Sequence, residues 1–188
     1  MEKENRWKTL VILVCLLVAV FMQTTLVRLV PEWIGQWLGY VDWLLLVTVY
    51  VGLQRNPVRA MLTGLAAGIV HDSLTGANMT GVSGFSYVLA AYVTHSITAL
   101  IIVDSLLVRF IAVTASTLIN TSVRLIFYAV LKLNFPALAG GRRVAAIFIF
   151  ALLAHLIAST LLYIVLDRIF LRGDVLRRRR EEARRRRS

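Results

Sequence analysis

VRAMLTGLAAGIVHDSL, residues 58–74, is the stretch on which the reading of this chain turns. Apart from Arg59 at its start and His71-Asp72 near its end, it is apolar or small. Ala60, Gly64, Gly68 and Asp72 recur at every fourth position, which places them on one helix face. Small residues at that spacing let two helix backbones approach inside a bilayer, where van der Waals contact replaces the hydrophobic drive of water. The run is also close to the ~17–25 residues that a membrane span requires. Residues 58–74 therefore read as a membrane helix with a packing face, and helix packing alone is a sufficient role for its glycines.

Five more apolar runs flank it, at about 10–27, 40–53, 82–102, 106–131 and 144–170. The fold class expected is an all-α integral membrane protein, a six-transmembrane-helix bundle over residues 1–174 followed by a basic cytoplasmic tail, 175–188. Composition agrees: 59% of the 188 residues are hydrophobic and mean hydropathy is +0.75, against roughly 45–50% apolar in soluble domains. The interruptions have local causes. Pro31 and Gly35 follow the first run. Asn56-Pro57 puts proline where a helix begins, a position that tolerates it. Gly76 to Gly81 is turn-rich, and Asn134, Pro136 and Gly140-Gly141 precede the last run. The first run follows Lys3, Arg6 and Lys8, but it exceeds the ~7–15 residues of a signal-peptide core and no A-x-A-like site closes it. It is expected to be an uncleaved helix. The runs 40–53 and 58–74 are short, so one of them should be tilted or partly buried in protein.

The net charge of +11 sits mostly at the ends. Arg172 to Arg187 contains nine arginines, among them Arg177, Arg178, Arg179 and Arg180, against Asp174, Glu181 and Glu182. A basic cluster directly after a membrane helix points to anionic lipid at the cytoplasmic face rather than to nucleic acid. Two basic termini place both ends in the cytoplasm, with Arg55 and Arg59 on the same side. Lys132, Arg142 and Arg143 then fall outside, against the usual asymmetry; an external protein partner would account for them. Cys15 is the single cysteine, which excludes an intramolecular disulfide and a cysteine metal site and leaves it as a small hydrophobe.

Each polar group within a span needs a reason, since an ionisable one costs ~2.5–3.5 kcal/mol at the centre of a membrane helix. Thr117, Asn120, Thr121, Arg124 and Tyr128 share one face of the fifth helix; Gly84, Tyr87, Ala91 and His95 form a stripe on the fourth; Ala151, His155, Ser159, Tyr163 and Asp167 form one on the sixth. These faces should turn inward. Asn120, Arg124, His155 and Tyr163 are the candidate interior polar residues. Counted along their helices, Asp72 and Arg124 lie at similar depth in the outer half, so their approach to one another is one expectation. The other is that Arg124 reaches outward to the interface while Asp72 ends its helix. His95 and His155 could carry protons or ligands, but a lone histidine on a packing face usually bonds a neighbouring helix. No catalytic motif stands out: G-x-S-x-G, H-E-x-x-H and the phosphate-binding G-x-x-x-x-G-K-[ST] are missing. Ser83, His71 and His95 could be drawn as a hydrolase, yet nothing in their spacing favours it. Neither an enzyme nor a cofactor is expected.

The stretch Thr63 to Gly76, with Gly64, Gly68, Asp72 and Gly76, followed by Gly81-Val82, resembles the signature region of the rod shape-determining MreD family: G-x-x-x-G-x-x-x-D, a glycine turn and a further apolar helix. Asp42-Trp43-Leu44-Leu45-Leu46 and Arg55-Asn56-Pro57 resemble that family's second helix and the loop after it. The recognisable motif covers about 40–95, and Arg124 has no counterpart in it, so no role is carried over to Arg124. The resemblance implies a non-enzymatic subunit of the bacterial cell-elongation complex in the cytoplasmic (inner) membrane. Its implied partners are MreC, the RodA glycosyltransferase with a class B penicillin-binding transpeptidase, and the MreB filament. It also implies a fold similar to the substrate-binding subunits of energy-coupling-factor vitamin transporters.

Two functions follow. In the first, the protein is a scaffold whose stripes are packing and whose outer surfaces bind partners. In the second, it is a substrate-binding transporter subunit whose polar stripes line an outward pocket. The loop after the first helix is short for a lid, and Trp7 to Ala19 lacks the Ala-x-x-x-Ala docking pattern. Both features favour the scaffold.

Overall fold

The computed structural model describes residues 2–26, 29–31, 35, 38–54, 56–76, 80–100, 106–131, 145, 148–166 and 168. Six α-helices lie among them: α1 (Glu2–Phe21), continued by a π-helical turn (Met22–Leu26); α2 (Trp43–Gly52); α3 (Pro57–Thr75); α4 (Val82–Leu100); α5 (Leu106–Val130); and α6 (Phe148–Leu166). Arg55, the basic loop 132–143 and the arginine tail with Arg177, Arg178, Arg179 and Arg180 lie outside the described residues. Among the described residues two helical stretches are long and apolar enough to cross a membrane, Leu106–Phe127 and Phe148–Leu166; Thr9–Thr25 and Trp43–Gly52 are apolar but shorter. The chain divides into two compact units, Met1–Leu156 and Ile157–Ser188. In the second unit Ala158, Ser159, Tyr163 and Leu166 are buried, whereas Ile157, Leu161, Ile164 and Val165 are exposed; this is one-sided burial at helical spacing.

The first unit is organised around α2. Every residue from Leu44 to Gly52 is buried, as expected of a helix that is apolar all round. It touches α1, α3, α4 and α5. Its ten residues extend about 15 Å, half the ~30 Å hydrocarbon thickness. The sequence suggests a span over 40–53, but the helix starts later because Asp42 caps it, accepting a hydrogen bond from the Leu45 N–H at 3.1 Å, while Gly39 and Tyr40 form a turn. At the other end of the chain, α1 starts at Glu2 rather than near Leu10, so helical structure begins ahead of the apolar run.

α3 and α4 form the most extensively packed pair. Asn56 caps α3 by accepting from the Arg59 N–H at 3.1 Å, and Pro57 takes the first position, where its missing N–H costs nothing. Gly76 ends the helix in the left-handed conformation, φ +59°, with its N–H donating to the Asp72 carbonyl. Along the shared face there is no room for side chains. A Cβ on Gly68 would lie 2.4 Å from the Gly84 Cα and 2.5 Å from the Ser83 carbonyl carbon, and one on Gly64 would lie 2.8 Å from the Tyr87 carbonyl oxygen. Gly84 is not equivalent: a Cβ there meets only side-chain atoms of Leu65 and Ile69 and the Leu65 oxygen, at 3.5 Å or more. The close approach is thus set by α3.

Candidate functional site

A cluster of buried polar groups gathers at the N-terminus of α2. Asp42 is its centre and is 6% exposed. One carboxylate oxygen accepts from the Leu45 N–H; the other accepts from the Tyr87 hydroxyl of α4. His71 of α3 sits with Nε2 3.6 Å from that second oxygen, and its ring lies edge-on to Tyr87. The Asp42 backbone N–H donates to Nε2 of His155 at 3.1 Å. That bond assigns the His155 tautomer: Nε2 must be bare, so the proton is on Nδ1, which donates to the Ala151 carbonyl at 2.6 Å. The neighbouring Trp43 N–H donates to Oε1 of Gln23 at 3.0 Å, and Gln23 is delivered there by the π-helical turn after α1. Three of the first free N–H groups around a helix start are therefore taken up by side chains.

A second cap lies beside the first. Oδ2 of Asp72 accepts from the Gly81 N–H at 2.7 Å and from the Ser83 N–H at 3.1 Å, so this carboxylate ends α3 and starts α4. Gly81 sits at φ +108°, a value that suits only glycine, and this turn brings its N–H round to Asp72. The expected approach of Asp72 to Arg124 is not what the structure has: no ion pair joins them among the described residues. Oδ2 of Asp72 is taken by its two backbone donors, and Oδ1 lies 3.9 Å from Nδ1 of His71. Arg124 instead lines a cavity together with Asp42.

That cavity measures about 200 Å³. Its polar lining includes Gln23, Asp42, His71, Asn120, Arg124 and His155, drawn from the end of α1, the start of α2, the end of α3, the second half of α5 and the start of α6. It opens beside the start of α2, where Gly39 to Asp42 precede the ten-residue helix. Asn120 is fixed by Ser86 of α4, Oγ to Oδ1 at 2.7 Å, and farther along the same helices Thr94 meets Ser116 at 2.9 Å. Gly64 and Gly68 lie on the α3–α4 contact, Pro57 and Gly76 at the two ends of α3, and Tyr163 is buried in the second unit.

Ser83, His71 and Asp42 do fall in a row: Ser83 Oγ is 3.3 Å from His71 Nδ1, and His71 Nε2 faces Asp42. The order is that of a nucleophile, base and orienting acid. However, Ser83 is 1% exposed, is wedged against the Gly68 backbone and is not among the cavity-lining residues. A carbonyl substrate has no approach to its Oγ, so the row serves to satisfy buried polar groups. His95, the third residue of the hydrolase drawn from sequence, takes no part; its buried Nδ1 has no partner among the described residues. Among those residues no group of three or more potential metal ligands is present. The sequence pointed to Tyr87 through its place on the inward stripe of α4 and to His71 beside Ser83, but not to Gln23 or to the meeting of all three around Asp42.

A family model for the rod shape-determining protein MreD matches residues 8–172 of the chain. No curated protein and no solved structure gives a significant match.

Proposed function

The chain belongs to the MreD family of rod shape-determining membrane proteins, and from that premise we propose that it is a non-enzymatic scaffold of the cell-elongation complex, binding MreC and helping to organise peptidoglycan synthesis. The family match over 8–172 carries this reading. Two features of the molecule support it. Its most extensively packed pair is α3 on α4, where Gly64 and Gly68 let the two backbones approach. And α1 presents Leu10, Leu13, Val14, Leu17, Val18 and Phe21 outward, a continuous apolar stripe at helical spacing of the kind a single-pass partner helix can meet. On this reading both termini are cytoplasmic. The tail around Arg177–Arg180 rests on anionic lipid or reaches MreB, and RodA with its transpeptidase joins through MreC or directly.

A second reading, a substrate-binding subunit similar to those of energy-coupling-factor transporters, is favoured by one observation, the cavity over α2. Affinity purification of the tagged protein from its native membrane, with mass spectrometry of what accompanies it, separates the two. Co-purification of MreC with the RodA–transpeptidase pair is the expected result. Recovery of a coupling membrane subunit with its ATPases would replace the scaffold by the transporter.

A further inference from the structure

We propose that the cavity over α2 binds an anionic group, a phosphate or carboxylate carried on an apolar body, with Arg124 and the Gln23 carboxamide as its donors. The argument comes from what the lining groups have left to offer. The acceptors are largely spent on the protein itself. Both Asp42 oxygens hold donors, from Leu45 and Tyr87. Nε2 of His155 holds the Asp42 N–H, and Oε1 of Gln23 holds the Trp43 N–H. Because a backbone N–H can only donate, the Gln23 bond fixes the amide the right way round, and its NH₂ has no hydrogen-bond partner among the described residues. Arg124 has neither an ion pair nor a hydrogen bond among the described residues, although it lines the same cavity. The remaining capacity is therefore that of a donor site bearing one accessible positive charge.

Asp42 lines the same cavity and attracts Arg124, but no ion pair joins the two among the described residues, so the guanidinium keeps its N–H groups for a ligand. The Asp42 side chain is 9% exposed and turned to Tyr87 and the helix start, whereas Arg124 is half-buried and faces the open space. A guanidinium in the outer half of a membrane helix is costly unless it meets an anion or water, and its fork of N–H groups suits phosphate or carboxylate oxygens. Apart from Thr121, whose hydroxyl donates to the Thr117 carbonyl, the rest of the wall is apolar or aromatic, with Tyr40, Leu125 and Phe148, so the anion should arrive on a hydrophobic body. The volume of about 200 Å³ falls below the roughly 300–1,000 Å³ of drug-sized pockets; it fits a headgroup rather than a large cofactor. A lipid headgroup and a small soluble phosphate share this chemistry.

The full-length chain, delipidated in a neutral detergent, is titrated with dioctanoyl phosphatidylglycerol, with glycerol 3-phosphate and with uncharged dioctanoylglycerol, and affinity and thermal midpoint are read. Arg124→Met should weaken the anionic probe by ~10-fold or more, the worth of one charged hydrogen bond. Arg124→Lys should restore most of the affinity, and Gln23→Met should weaken it by a few-fold. The basic tail is intact in all three, so its own attraction to the lipid cancels. Unliganded Arg124→Met loses only a longer-range attraction to the Asp42 carboxylate, with no ion pair or hydrogen bond among the described residues, and should melt close to the parent. Binding of phosphatidylglycerol alone identifies a lipid as the source; binding of glycerol 3-phosphate as well identifies a soluble one. Equal binding of dioctanoylglycerol, no binding of either anion, or an Arg124→Met protein that binds like the parent would overturn the proposal.

Discussion

The α3–α4 contact and the cluster over α2 solve opposite problems with adjacent residues. The first removes side chains until two backbones touch; the second fills a gap with side chains that satisfy one another. Gly68 and His71 are one turn apart on α3, yet Gly68 works by having nothing to place and His71 by sitting among Ser83, Tyr87 and Asp42. The difference teaches how each would fail. The contact has no slack, since its neighbours are main-chain atoms that cannot rotate away. The cluster has several partners, so the loss of one leaves others in place.

The sharpest break of that comparison is Gly68→Ala. A methyl group 2.4 Å from the Gly84 Cα must push two helices apart, and the expected loss is about 3 kcal/mol or more, at or beyond the upper end of ordinary overpacking. Gly84→Ala is the paired control: it has ordinary contacts and should be neutral or gain up to ~1 kcal/mol from helix propensity. Thermal midpoints in one detergent check both, and equal effects would show that the contact is not one-sided. Asp42→Ala comes next, expected to cost about 3 kcal/mol because the Leu45 N–H and the Tyr87 hydroxyl lose a charged acceptor together; unfolding curves of Asp42→Ala and Asp42→Asn should rank in that order. The smallest effect is expected for His155→Phe, about 1–3 kcal/mol for one buried N–H left unpaired. Amide hydrogen exchange at Asp42 should accelerate in that variant while exchange along α3 and α4 stays unchanged.

Much of the first region was legible in the chain. A four-residue repeat of small residues needs only local reading, and so do Asn56-Pro57 and Gly76 as helix punctuation. The second region was legible only in its parts. Asp42 ahead of an apolar run can be read as a cap, but its partners Tyr87 and His155 lie 45 and 113 residues away, and periodicity says which face a residue occupies without saying what it meets. The pairing of Asp72 with Arg124 shows the same limit: counting along a helix gives a height, while the claim of the Gly81 and Ser83 N–H groups on Asp72 depends on how the turn folds back. Gln23 gave no signal, because a π-helical turn shifts a residue off the face that a regular helix would assign.

The shortness of α2 also bears on biogenesis. Ten apolar residues are too few to halt passage through a translocon unaided, since a stable span takes ~17–25. Leu106–Phe127 and Phe148–Leu166 are long and apolar enough to enter as independent helices before they associate. In a multi-pass bundle α2 would instead depend on the helices it touches, α1, α3, α4 and α5, which would offer it a protein lining in place of lipid.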